Sequence, residues 1–274
     1  MRLGIVVIAR RLSETDKRPL VEQLVDTAQK AEKLGFHGLW VTDAFARGWA
    51  TVDPLVLLGA LASTTKTMEL GTCVVQIPLR HPVEHAHRVQ SLDLLANGRL
   101  RFGIGSGSTK HDFDAVQADY DRRFKTLTEY LGVMQKVWNG EPVYGPALSV
   151  WPGTEGGPDV LLGAWRSQRW INLSASLGGW IASGIYGTND DLTLGVKMFR
   201  EAKGKRAVLA NIFTDIRPEG KRGPVNEHAK LTLYCSPAEA RDRLKRVEDM
   251  GFDDALLVVP DDGLDQLEAM RALA

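Results

Sequence analysis

Glu32-Lys-Leu-Gly-Phe-His-Gly-Leu-Trp-Val-Thr-Asp43 reads as a helix end, a glycine stop and a buried strand that closes on an aspartate. Glu248-Asp-Met-Gly-Phe-Asp-Asp-Ala-Leu-Leu-Val-Val259 repeats that order near the other end of the chain, and Ala175-Ser-Leu-Gly-Gly-Trp-Ile-Ala182 is a weaker copy. One αβ junction used several times is what a quasi-symmetric (β/α) barrel requires.

Outward from these copies, apolar runs of strand length alternate with segments of helical period. Leu3–Ile8 is a continuous apolar run of the kind buried on both faces of a parallel sheet. A helix opens at Pro19 and carries Leu20, Leu24, Ala28 and Ala31 on one stripe. After the strand 38–42 the pattern predicts a helix over 52–63, a strand over 69–76, a helix over 82–96 and a strand over 99–105. It continues with a helix over 120–138, a strand over 159–163, a helix over 167–177, a strand over 179–183 and a helix over 190–202. A strand over 207–214, a polar loop over 217–226, a helix over 237–250, a strand over 255–259 and a terminal helix complete the chain. These make about eight βα units, the number that closes a TIM (β/α)8 barrel. An open doubly wound sheet is the competing architecture, but a two-domain form of it needs a boundary that the pattern does not offer. The expectation is one barrel over residues 1–274, with loop insertions near 106–119 and 140–158.

The composition suits this. With 274 residues, 44% hydrophobic and 25% charged, the chain can bury a full-sized core. Lys plus Arg and Asp plus Glu both number 34, so nothing offers the basic surface that nucleic acid demands. No run is long enough to span a membrane. Cys73 and Cys235 sit in apolar runs without a CxxC partner, which points to reduced thiols and a cytoplasmic protein.

Several segments could carry chemistry. Gly103-Ile-Gly-Ser-Gly-Ser108 ends a strand, but Ser108 stands where a dinucleotide fingerprint needs its third glycine. A ligand loop at the barrel mouth is the better reading, with a plain turn as the alternative. Leu161-Leu-Gly-Ala-Trp-Arg-Ser-Gln168 runs from a strand into a helix whose free N–H groups, with the Ser167 hydroxyl, suit a phosphate; ordinary capping by Ser167 is the bland reading. Arg123 could add charge-assisted bonds to that anion, or be a solvated helix charge. His81, His85 and His87 lack the acidic company of a metal site, so no metal is expected, and the absence of GxSxG argues against a serine hydrolase.

Taken in order, the motifs resemble the bacterial luciferase-like flavin-dependent monooxygenases along nearly the whole chain. They are Gly35-Phe-His-Gly-Leu-Trp-Val-Thr-Asp43, Leu70-Gly-Thr-Cys-Val-Val75, His81-Pro82, and Ser91-Leu-Asp-Leu-Leu-Ala-Asn-Gly-Arg99. Phe102-Gly-Ile-Gly-Ser-Gly107, Arg123 with Glu129, Val137-Trp-Asn-Gly-Glu-Pro142, and Gly163 through to Gly179-Trp180 complete the set. The resemblance implies a flavin across the strand ends, with its ring over the segment after the third strand. That segment, Thr72, Cys73 and Val74, would carry a non-prolyl cis peptide near Cys73-Val74. Asp43 would stand by the ring's polar edge, Gly105, Ser106 and Gly107 along the ribityl side, and Arg123, Gly163, Ala164 and Ser167 around the phosphate.

The implied chemistry is oxidation of a small organic substrate by reduced FMN and O2, with the FMN delivered by a separate flavin reductase to a homodimer. Ala44, Phe45, Trp49 and Trp151 are candidate walls of the substrate pocket. His111 is the candidate catalytic group, the one nearby side chain able to move a proton at neutral pH. Hydride transfer with coenzyme F-420 is an alternative. In the glucose-6-phosphate-oxidising relatives that use it, however, a histidine and a glutamate stand where this chain has Ala44 and Ser108. A flavin-binding paralogue without catalysis is the third reading. The insertion after the seventh strand is shortened, which argues against light emission.

Overall fold

The computed structural model describes residues 1–8, 16–223, 227–259 and 264–273. Eight parallel strand positions close on themselves. They are β1 (Arg2–Val7), β2 (Gly38–Val41), β3 (Glu69–Thr72) continued by β4 (Val75–Gln76), and β5 (Leu100–Gly105). Then come β6 (Asp159–Gly163), β7 (Gly179–Ser183), β8 (Ala207–Asp215) and β10 (Asp254–Val258), which pairs with both β8 and β1. The third position is interrupted at Cys73-Val74, whose peptide is cis, where the resemblance placed such a bond. Beyond the break, Val75 and Gln76 pair with Ile104 and Gly105 of β5.

Helices cover the strands: α1 (Leu20–Leu34), α2 (Pro54–Thr64), α3 (Pro82–Ala96), α5 (Arg123–Trp138), α6 (Gln168–Ser176), α7 (Asn189–Glu201) and α8 (Pro237–Asp249), with α9 (Leu267–Arg271) closing the chain. The repeated junction holds. Gly35 and Gly251 both take left-handed backbone, with φ of 82° and 96°, and the following Phe36 and Phe252 are both buried. Inside the barrel, Val6, Trp40, Cys73, Leu161, Ile181, Val208 and Leu256 form a packed layer. The larger core lies between strands and helices. Below it, Glu69 bridges Arg101 and Arg206, and Asp254 bridges Arg206 and Arg2, so β1, β3, β5, β8 and β10 are joined at their N-terminal ends.

Differences from the sequence expectation have local causes. The helix expected from 120 begins at Arg123, because the Asp119 carboxylate accepts the N–H groups of Asp121 and Arg122 and holds a turn there. The one expected from 52 begins at Pro54, capped by Asp53 through Leu55 N and Val56 N. The one expected from 190 begins a residue earlier, where Thr188 and Asp191 form a capping box. Two elements were unforeseen: α4 (Lys110–Ala115), inside the 106–119 segment, and β9 (Thr232–Tyr234), which pairs with the end of β8. Of the polar loop over 217–226, residues 224–226 lie outside the described residues.

Candidate functional site

A cavity of about 680 Å³ opens at the C-terminal ends of the strands, where barrel enzymes work. Its walls include Asp43, Cys73, Val74, Gly105, Ser106 and Gly107 from the β2–β5 side, together with Gly163, Ala164 and Ser167 from β6 and the turn into α6. The glycine-bearing ends of the third, fourth and fifth barrel strands therefore meet in one cleft. Ala44 and Trp49, from the segment after β2, stand in the same wall.

Five sequence candidates lie elsewhere. Thr72 is fully buried and donates its hydroxyl to Gly103 O at 2.7 Å. Arg123 packs over the Tyr120 ring at 3.8 Å and the Phe124 ring at 4.3 Å, and donates Nη1 to Tyr120 O, so its neighbour Phe124 lines the cavity instead. Phe45 is turned to solvent, and His111 sits exposed on α4; neither belongs to the wall. Trp151 is displaced for a topological reason. The 140–158 segment follows a helix and so leaves from the opposite end of the barrel from the βα loops. It packs on the outside, with Gly156 N on Trp138 O, Thr154 O accepting from Gln90, and Tyr144 against His81 at 5.9 Å.

The glycines have a reason different from ligand approach. A Cβ on Gly105 would lie 2.6 Å from Val74 Cγ2, and one on Gly163 would lie 2.7 Å from Val74 Cγ1. Val74 is thus wedged between two glycines, presenting its partly exposed side chain to the cavity. Cys73 beside it is buried, and burial pushes its thiol up to about 12, so it offers no thiolate at neutral pH.

Charges in the floor are neutralised pairwise. Asp43 accepts from Arg80 Nη1 at 2.7 Å and Nη2 at 2.9 Å, and from Gln76 N at 2.9 Å. Gln76 Nε2 also donates to Asp112 Oδ2 at 3.0 Å. Asp112 is bound by Arg47 Nη2 at 2.9 Å and Ala46 N at 2.8 Å; although burial works against ionisation, these donors hold its carboxyl below the usual carboxylate range. At the rim, Arg166 pairs with Asp191 at 2.6 Å. Among the described residues, no group of three His, Cys, Asp or Glu could hold a metal.

The turn into α6 differs from the turn into α7. Thr188 and Asp191 cap α7 internally, whereas the Ser167 side chain makes no capping bond on α6. Ser167 lines the cavity, so the start of α6 lies at its edge with N–H groups that this side chain leaves uncapped. Sequence reading missed Gln76, Arg80, Ser183 and Asn211. Only Asn211, a polar residue inside the run Ala207–Thr214, carried a visible signal.

A family model described as luciferase-like monooxygenase matches residues 1–208, and the chain belongs to that family, whose members are flavin-dependent oxidoreductases. It is 26% identical over 165 residues to the oxygenase component of flavin-dependent trigonelline monooxygenase from Acinetobacter baylyi, a match covering 59% of this chain and 46% of that protein. The chain thus spans less than half the length of that relative. In structure it is similar to the monooxygenase RslO1 from Streptomyces bottropensis, with a TM-score of 0.83, 18% identity and coverage of 99% of this chain and 98% of that one. It is also similar to an F420-dependent secondary alcohol dehydrogenase, with a TM-score of 0.76, 14% identity and coverage of 100% and 98%. These structural likenesses bear on the fold. Among the described residues, no helix is long and apolar enough to cross a membrane.

Proposed function

We propose that the protein is the oxygenase of a flavin-dependent monooxygenase system, using reduced FMN and O2 to oxidise a small organic molecule. The observation that carries this reading is the meeting of Val74, Ser106 and Ser167 in one cavity large enough for a cofactor and a substrate. Val74 gives an apolar seat for one face of a ring, and Ser106 and Gly107 flank the path toward α6. The uncapped α6 terminus with Ser167 suits the phosphate of FMN. When bound, reduced FMN would supply the electrons that activate O2. The chain's own task is to hold that ring in a mostly apolar cleft, away from water and beside the substrate.

Arg80 and Arg47 are each bound to a carboxylate, so among the described residues the floor is polar without a free charge. His111 stays outside the wall, and with it the proposed proton carrier; on this reading the cofactor performs the chemistry and the protein positions it. Coenzyme F-420 is the second reading, favoured by the same anion site and by the F420-dependent structural neighbour. The name of the trigonelline relative, an oxygenase component, supports a separate flavin reductase as partner. Exposed Val56 on α2 and Leu94 and Leu95 on α3 support a homodimer, and two buried unpaired cysteines suit the cytoplasm.

Photoreduced FMN mixed with the protein in aerated buffer provides the test. The reading predicts that flavin absorbance returns with a time course distinct from that of free FMN. A course identical to free FMN at saturating protein would remove its support.

A further inference from the structure

β8 changes its pleat opposite the proposed flavin seat. From Leu209 to Ile212 this strand advances three residues while β10 advances two, from Ala255 to Leu257. The extra residue is taken up around Asn211, whose φ of 59° is a left-handed conformation that asparagine tolerates better than most side chains. Val208 and Ala210 point into the barrel before the bulge. Regular alternation would bring Ile212 inward and turn Asn211 and Phe213 outward. Instead Ile212 joins the outer core, and Asn211 and Phe213 line the cavity. The bulge re-aims a polar side chain into the cleft.

Asn211 does not stand alone there. Its Nδ2 lies 3.3 Å from Ser183 Oγ on neighbouring β7, and that oxygen also accepts from Ile185 N at 3.3 Å. With Nδ2 turned toward Ser183, among the described residues nothing donates to Asn211 Oδ1 or accepts from the Ser183 hydroxyl. The surrounding arc is apolar: Ile8, Ile181, Ile185, Phe213 and Val258. The mouth above is bordered by Trp49, Phe124, Trp165, Trp170 and Tyr186, supplied by different loops and helices and mostly half-exposed. The rim charges Arg166 and Asp191 neutralise each other, and Asp43 and Arg47 are paired with Arg80 and Asp112, so among the described residues the lining offers an ionic substrate no unpaired charge.

We infer that Asn211 and Ser183 anchor the organic substrate, a flat, uncharged, largely apolar molecule carrying a hydroxyl group. That hydroxyl donates to Asn211 Oδ1 and accepts from the Ser183 O–H, while the ring system lies between the aliphatic arc and the aromatic mouth. This deepens the proposed function and rests on its placement of the flavin on the β3–β6 side, across the barrel from β8.

The test uses 2-naphthol and its near-isostere 2-methylnaphthalene as probes, titrated by tryptophan fluorescence with and without saturating oxidised FMN. The anchor predicts that 2-naphthol binds about five- to tenfold more tightly than the methyl compound, the worth of one or two hydrogen bonds. Asn211→Gly keeps the left-handed backbone accessible and removes the amide, so the preference should fall to about onefold while FMN affinity stays within about twofold. Should that variant not fold, Asn211→Asp, which keeps an acceptor, must retain the preference for 2-naphthol, and Ser183→Ala must reduce it. Equal binding of the two probes by the unaltered protein, an undiminished preference in folded Asn211→Gly, or displacement of 2-naphthol by FMN would each overturn the anchor. Failure of FMN to bind, with the naphthol preference present and lost in Asn211→Gly, would overturn the cofactor placement and leave the anchor standing.

Discussion

His85 lies on α3 behind the Asp43–Arg80 pair, 1% exposed, with neither ring nitrogen bonded to a described residue. Burial, and then the charge of Arg80, push its pKa from 6.5 down to about 3, against a smaller opposing pull from Asp43. A histidine depressed in this way folds neutral, and the unfolded chain binds the proton first. Stability should therefore be intact above about pH 6.5 and fall as the pH drops, at up to about 1.4 kcal/mol per pH unit from this one group. The carboxylates held low in the fold, Glu32, Glu69 and Asp112, add their own losses only nearer their ordinary range. Urea unfolding of His85→Leu should give a flatter stability profile between about pH 6.5 and about pH 5 than the unaltered chain. Parallel profiles would show that His85 takes up its proton as readily in the fold as in the unfolded chain. The sequence set His85 aside only as a metal ligand, and helical spacing alone could not reveal that it is buried beside Arg80.

The elements that frame the cavity are where the sequence was most readable, and also where it misled. Strands 159–163 and 179–183 and helix 82–96 have the bounds that their apolar patterns and proline starts imply. The bulge in β8 was hidden because a left-handed residue leaves no mark on hydrophobic alternation beyond a single asparagine. The 140–158 segment was placed at the mouth by its length and its tryptophan, although it leaves a helix at the other end and packs over the outside of α3, where Tyr144 meets His81 and Thr154 meets Gln90, without entering the cavity wall. At α6 the contrast with α7 makes a prediction: FMN should bind at least about tenfold more tightly than riboflavin, because only the phosphate reaches the uncapped helix terminus. Ser167→Ala should narrow that gap by about threefold, the effect of one hydroxyl among several backbone donors, as read by flavin fluorescence titration. Equal affinities for FMN and riboflavin would place the phosphate elsewhere.

At the scale of the whole molecule, the repeated helix–glycine–strand junction made the barrel legible, because closure needs similar units rather than any one contact. What the sequence could not show is how the ring is locked at its base. Glu69 holds Arg101 at 2.7 Å and Arg206 at 2.6 Å, and Arg206 reaches Asp254 at 2.7 Å. Partners so far apart in the chain meet only once the barrel has closed. Glu69→Ala leaves two half-buried guanidinium groups without that carboxylate, and should lower unfolding free energy by about 3 kcal/mol. A loss below about 1 kcal/mol in urea titration would class the network with exposed surface pairs. The barrel, in turn, brings three strand ends to the one cleft proposed to hold the cofactor. A crystal structure of the protein soaked with FMN measures that directly. The ring should pack against Val74, with the phosphate within hydrogen-bond reach of Ser167 and the first N–H groups of α6; flavin bound outside this cleft, or reversed within it, would contradict that placement.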